Sequence, residues 1–245
     1  MNPARWKTKN KGKVISTISD NMLKRLEDKG VVRGGLFPNW VDADRIFPLA
    51  EASPLRRELG IADDTLVALY SGNMGRKQGL EIIVEAACAL AGKADLHFVL
   101  CGDGAAREEL LKLASGAPNI SFYPLQPVER LNDLLNMADI HLLPQKAGAA
   151  DLVMPSKLTG MLASGRPVVA SATAGTQIAG IVQQCGKVVE PGEAKAFADA
   201  VAWLLENRDE AKKLGEAGRR FAVEMWGAET VLSRFGQELL RLAGK

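Results

Sequence analysis

The sequence predicts an α/β protein: a doubly wound, parallel sheet of about six strands with further helices at its C-terminal end. Three observations carry this. From Leu66 onward, short apolar runs alternate with stretches whose apolar residues recur at helical spacing. Six strands each followed by a helix make a parallel sheet, and right-handed crossovers place helices on both faces. The loops after the first and fourth of these strands are rich in glycine or alanine and carry cations, where an open α/β sheet meets its ligands.

In chain order, residues 14–18 form a strand. Ser19 or Asp20 caps a helix over 21–29, and Gly30 ends it. A single βα unit cannot bury its own apolar face. Residues 1–36 are therefore either an edge addition to the sheet or the remnant of another domain. Residues 37–48 connect it to the main domain, which spans 37–245. There the strands fall at 66–71, 95–101, 119–123, 139–143, 167–171 and 187–189. The helices fall at 78–91, 105–114, 128–137, 155–164 and 175–184. Residues 193–242 are helical, with breaks near 207–208 and 226–227. One stripe there carries Phe197, Val201, Leu204 and Leu205, and the next Leu232, Phe235, Leu239 and Leu242; both are expected to face the core.

Composition narrows the function. The 245 residues are 47% hydrophobic and 24% charged, with a net charge of +2, too balanced to suggest nucleic acid. Cys88, Cys101 and Cys185 are isolated and odd in number, which fits a reduced, cytoplasmic setting. His97 and His141 are the only histidines and sit in strands, so a His-rich metal site is excluded. No apolar run is long enough to span a membrane, and the N-terminus has no secretory h-region. Arg5, Lys7, Lys9, Lys11 and Lys13 have no acid among them; they read as a solvated tail, the alternative being contact with an anionic membrane surface.

The segment 150–172 is the most informative. Pro155 opens a short helix that Gly165 stops, and Lys157 sits in its first turn. A cation facing the positive end of the helix dipole costs about 0.3–1 kcal/mol, and an anion bound at the helix start would reverse that. In the first loop, Gly72, Gly75 and Gly79 let backbone amides approach a ligand, and Arg76 and Lys77 again place positive charge near a helix start. In the strand order 3-2-1-4-5-6, the loops after strands one and four flank one crevice. Two glycine- or alanine-rich loops and two cation-bearing helix starts then converge, which suits a diphosphate. Gly102-Asp103-Gly104 resembles the start of a dinucleotide fingerprint, but Arg107 stands where the third glycine belongs and the strand is the wrong one. A tight turn lining a nucleotide pocket fits better than NAD. Asp42 and Asp44 lie in the connector and read as a cap or solvated turn rather than a metal pair.

Several segments together resemble the C-terminal, donor-binding half of the retaining GT-B glycosyltransferases of the family-four group. They are Phe37-Pro-Asn-Trp-Val-Asp42 with Phe47-Pro48, the glycine loop 70–80, Gly102-Asp103-Gly104, Met137-Ala-Asp-Ile140 with Leu142-Leu-Pro144, Gly165-Arg-Pro-Val-Val169 and Val188-Val-Glu-Pro-Gly192. The resemblance covers residues 14–242. The Gly-Asn-Met-Gly…Gln-Gly-Leu and Pro-Ser-Lys-Leu forms are most similar to the branch making bacterial capsule and exopolysaccharide, including the colanic-acid type.

The resemblance implies a Rossmann-like fold that binds a UDP- or GDP-sugar and needs no bound metal or other cofactor. The base would lie near Gly102, Asp103 and Gly104 and the loop holding Leu125. The diphosphate would meet Gly72, Asn73, Gly75, Arg76, Lys77 and Gln78 on one side and Pro155, Ser156 and Lys157 on the other. The sugar would pass, with retention, to a polysaccharide or lipid-linked acceptor held by an N-terminal domain of which residues 1–36 remain. The chain alone is then expected to bind nucleotide but transfer poorly, in the cytoplasm or at the inner face of the membrane. The sequence departs from the family at four positions. Asn73 and Gln78 stand where the family has Arg and Lys, and Leu152 and Gly160 where it has its Glu-x7-Glu pair. Asp151, one residue away, is the candidate for the first of those carboxylates. A nucleotide-sugar epimerase of the same fold and a non-catalytic nucleotide-binding module are the alternatives.

Overall fold

The computed structural model describes residues 14–148 and 154–243. Its main sheet has six parallel strands: β3 (Leu66–Ser71), β4 (Leu96–Cys101), β5 (Ile120–Tyr123), β6 (Ile140–Leu143), β7 (Val168–Ser171) and β8 (Gly186–Val189). Their order is β5-β4-β3-β6-β7-β8, so the direction of winding reverses between β3 and β6, as expected. Each of the first five strands leads into a helix: α3 (Glu81–Ala89), α4 (Arg107–Leu113), α5 (Leu131–Asn136, after a 3-10 turn), α6 (Ser156–Ala163) and α7 (Gln177–Val182).

The apolar runs are continuous because both faces of the sheet are covered. Every residue of β3 is buried. Alternate side chains divide between the layers. Ala68, Tyr70, Phe98 and Leu100 pack with Ile83, Ala86, Phe197 and Val201 on one face. Val67, Leu69, Val99 and Cys101 meet Leu134 and Met137 on the other. Beyond the reversal, Leu143, Val168 and Ala170 pack with Leu158, Leu162, Ile178 and Ala222.

Three helices close the chain: α8 (Ala194–Glu206), α9 (Arg208–Trp226) and α10 (Ala228–Leu242). The breaks fall where expected. In α8, Phe197, Val201 and Leu204 are buried, as its stripe required. The α10 stripe does not behave this way. Val231 is the one buried residue of that helix, while Leu232 and Leu239 are 47% and 51% exposed. The start of α10 is tied to the connector, where Val41 donates to the Trp226 carbonyl and Ala228 to that of Val41. Phe235 finds a partner outside the core by stacking on Phe37, at 4.0 Å between centroids.

The N-terminal unit is βαβ rather than βα: β1 (Ile15–Thr17), α1 (Asp20–Asp28) and β2 (Gly34–Leu36). Ser19 is the cap, accepting from the Met22 amide, and Gly30 ends the helix at φ +89°. β1 and β2 pair in parallel in a sheet of their own, so the unit is not an edge addition to the main sheet. A Cβ on Gly34 would overlap Leu23 of α1, which explains glycine in so short a strand. A second unexpected element is α2 (Pro54–Glu58), capped by Ser53, whose hydroxyl also donates to the Asp133 carbonyl at 2.7 Å.

Candidate functional site

Past their ends, β3 and β4 stay joined through their loops. The Gly72 amide donates to the Cys101 carbonyl (2.9 Å), Met74 to Asp103 (2.7 Å) and Ala106 to Met74 (2.8 Å). A Cβ on Gly102, at φ +155°, would overlap the Gly72 carbonyl oxygen. One on Gly104 would lie 2.7 Å from the Met74 carbonyl and the Asn73 side-chain oxygen. These glycines are required where the two loops press together. Next to them runs the 124–127 loop, tied on by the Gly102 amide to the Tyr123 carbonyl and by the Cys101 thiol to that of Pro124 (3.1 Å). Asp103 and Leu125 are exposed on this side, with Leu125 free to lie against a flat ring.

The second wall is the start of α6. Pro155 is its N-cap and supplies no side-chain acceptor, and the first turn carries no acid. The amides of Ser156 and Lys157 have no intrahelical acceptor, as at any helix start. Lys157 reaches across to the first wall. Its Nζ lies 3.2 Å from where a Cβ of Gly72 would stand. It donates to the Tyr70 hydroxyl at 2.8 Å and sits 4.2 Å from the centre of that ring. Tyr70 in turn donates its one hydroxyl proton to the Asn73 carbonyl, at 2.6 Å. Burial pushes Lys157 down from 10.5 to about 8 and pushes Tyr70 up. Asn39 braces the same loop, its amide donating to the Met154 carbonyl at 3.1 Å.

The structure thus brings Gly72, Asn73, Gly102 and Gly104 together with Pro155, Ser156 and Lys157. The expectation for Arg76 and Lys77 needs correction. Expected at the start of a helix beginning at 78, they precede one that begins three residues later. Gly79 has φ +70°, a left-handed conformation that a right-handed helix cannot contain, so α3 starts at Glu81. Arg76 and Lys77 are exposed on the turn before it. The first turn of α3 carries Glu81, which pairs with Lys146 at 3.0 Å. That helix start is therefore met by its own carboxylate, whereas the start of α6 is not. Gln78 is half-buried behind Gly75, and its side-chain oxygen is buried without a donor.

Position 160 is half-buried. A Cβ there would stand 3.2 Å from Leu135 on α5, so a side chain would first meet that helix. Asp151, Leu152 and the basic residues 5–13 lie outside the described residues. Asp42 accepts from the amides of Asp44 and Arg45, the turn expected of it. His97 meets Ser121 and His141 meets Ser164, each at 2.9 Å. Among the described residues no group of three His, Cys, Asp or Glu side chains could share a metal ion, and no helix is long and apolar enough to cross a membrane.

Tyr70 is the partner of Lys157 that sequence reasoning missed: 87 positions separate the two, and a strand-end tyrosine looks like core. The one available signal was that it immediately precedes the glycine loop.

The family described as "Glycosyl transferases group 1" matches residues 52–221. A putative colanic acid biosynthesis glycosyl transferase, WcaI of Escherichia coli K12, is 37% identical over 230 residues, covering 90% of this chain and 55% of that protein. A GDP-mannose-dependent phosphatidylinositol monomannoside mannosyltransferase of Mycolicibacterium smegmatis is 29% identical, over 82% of this chain and 55% of its own. The chain thus spans about half the length of the curated relatives it matches. Among solved structures, sucrose-phosphate synthase of Thermosynechococcus elongatus superposes with a TM-score of 0.80 at 22% identity, over 94% of this chain and 58% of that one. A glycosyltransferase of Rickettsia africae does so at 0.81 and 17%, over 99% and 68%. At such identities these two likenesses concern the fold.

Proposed function

The chain belongs to the glycosyl transferases group 1 family, and from that premise we propose that it binds the diphosphate of a nucleotide sugar between the loop after β3 and the start of α6. The observation that carries this is Lys157. It is a half-buried cation at an uncapped helix start with no carboxylate in the first turn, held over the glycine that opens the facing loop. When the bond between sugar and diphosphate breaks, negative charge grows on the diphosphate. Lys157 and the amide of Ser156 stand at that charge on a fixed element and stabilise it without reorganising. Asn73 contributes polar contacts, and Arg76 and Lys77, on the exposed turn, add long-range attraction. The base lies against Gly102, Asp103, Gly104 and Leu125.

The donor is a UDP- or GDP-sugar, the transfer retains configuration, and no metal takes part. The acceptor is a glycan or a lipid-linked precursor. The similarity to a colanic acid transferase supports the first, and that to a phosphatidylinositol mannoside mannosyltransferase the second. The acceptor is held by an N-terminal domain to which residues 1–36 belong. The separate sheet formed within residues 14–36 supports this division. Asp151 serves as the carboxylate nearest the sugar. The work is done in the cytoplasm, at the inner face of the membrane where the acceptor is lipid-linked.

Calorimetric titration of the chain with UDP, GDP and ADP tests the core of this reading, and binding to none of them overturns it. The glycine at position 160 favours one other reading, a nucleotide-binding module without catalysis. Turnover by the full-length protein separates the two.

A further inference from the structure

A second cationic cavity, of about 200 Å³, lies at the opposite edge of the sheet. It opens beside Leu66, Ile140 and Pro167, at the amino ends of β3, β6 and β7, and so faces away from the crevice. Three cations line it: Arg166, from the turn after α6, and Arg208 and Lys212, from the first turns of α9. None of the three forms an ion pair among the described residues. The Nε of Arg166 is buried without an acceptor, an arrangement that normally costs stability. The first turn of α9 carries Asp209 and Glu210, so the three cations, not the helix end, supply the positive charge here.

The acids nearby neutralise this group only in part. Asp139 lines the cavity, but its Oδ2 already accepts from Arg56 (2.7 Å) and from the Val67 amide (2.8 Å). Burial disfavours the Arg166 cation most; the Asp139 carboxylate offsets part of that, and Arg56 repels it more weakly. Glu210 is engaged with Lys213, Glu206 with Lys93, and Asp209 does not line the cavity.

We propose that Arg166, Arg208 and Lys212 form a second anion site, which takes a phosphate group from a free metabolite or from a lipid headgroup. The site and the crevice lie at opposite ends of one helix. Arg166 is three residues past the end of α6, and Lys157 stands at that helix's other end, about 12 Å away at 1.5 Å per residue.

The test uses the whole chain carrying Lys157→Met, so that phosphate binding in the crevice is weakened. Inorganic phosphate, at ionic strength matched with chloride, should raise the melting temperature saturably. Arg208→Gln with Lys212→Gln should weaken the apparent phosphate affinity by about tenfold or more. Both residues are exposed, so this pair keeps the test sound should Arg166→Gln fail to fold. In parallel, sedimentation with phosphatidylcholine vesicles, with and without phosphatidylglycerol, separates the sources. Binding to the anionic vesicles that the double substitution removes assigns a headgroup, whereas phosphate stabilisation without it assigns a free metabolite. The proposal is overturned if neither phosphate nor anionic vesicles bind, or if whatever binding occurs is unchanged by the double substitution.

Discussion

Replacing Lys157 by methionine should weaken nucleotide binding and leave the empty chain as stable as before, or more so. The stability side follows from burial. A lysine held at about 8 instead of its ordinary 10.5 costs the folded chain about 3 kcal/mol at neutral pH. Partial exposure reduces that to about 1–2 kcal/mol. The hydrogen bond to Tyr70 and the contact with its ring return about 1–2 kcal/mol. The Tyr70 proton is unaffected, since it goes to the Asn73 carbonyl. The net change is therefore small, with a melting temperature unchanged or raised by up to about 4 °C. The difference is pH-dependent. The folded group titrates at about 8 and the unfolded one at its ordinary 10.5, so between these values the unfolded chain holds more protons. The cost is complete below pH 8, declines as pH rises and is gone above 10.5. Binding should respond the other way. Losing a charge-assisted contact to a diphosphate costs about 1.5–3 kcal/mol, or about 10- to 150-fold in Kd. In the parent, affinity for UDP or GDP should fall about tenfold per pH unit above pH 8, as the free lysine loses its proton, while in Lys157→Met it should stay flat. Calorimetry and thermal melts from pH 7 to 9.5 measure both. A variant that melts several degrees lower and binds UDP and GDP as the parent does would refute the reasoning.

Two other substitutions probe the frame around the crevice. Gly102→Ala puts a methyl group into the Gly72 carbonyl at a φ of +155°; it should destabilise the chain by more than about 3 kcal/mol in urea unfolding and remove nucleotide binding, and near-parent stability would show that the loops can part. His141 is fully buried, and burial together with Arg166 drives it from 6.5 to about 3. Ser164 spends its proton on the Met161 carbonyl, so the imidazole must donate from Nε2, leaving Nδ1 unprotonated and without a partner. Its contribution is complete above pH 6.5 and is lost as pH falls toward 3, by about 1.4 kcal/mol per pH unit within that window. Urea unfolding should therefore show His141→Gln less sensitive than the parent between pH 6.5 and 5, and parallel curves would exclude this histidine as the acid-sensitive group.

How far the crevice could be read from sequence depended on how local each cause was. β3 and β4 were legible because a strand covered on both faces is a bare apolar run. The reversal between β3 and β6 followed from their order and the handedness of the connections. β2 escaped because three residues, two of them glycine, carry no periodicity. α2 has five residues, too few for a helical repeat to show. The α10 stripe was legible as amphipathic, but the sequence does not say which surface such a stripe meets. The two cation-bearing loops looked equivalent in sequence, each with glycine or alanine, a lysine and a helix to follow. They differ because of two small local facts. Gly79 takes a left-handed turn and delays α3 until Glu81 can meet its positive end, and Glu81 is in turn paired with Lys146. At α6, Pro155 starts the helix at once, with no acid in the first turn, and among the described residues Lys157 rests on Tyr70 rather than on a carboxylate. A phenol cannot neutralise an ammonium, so the positive potential of α6 stays open to the crevice while that of α3 is answered within the chain. The anion should accordingly be held from the α6 side, with the first loop shaping the space beside it.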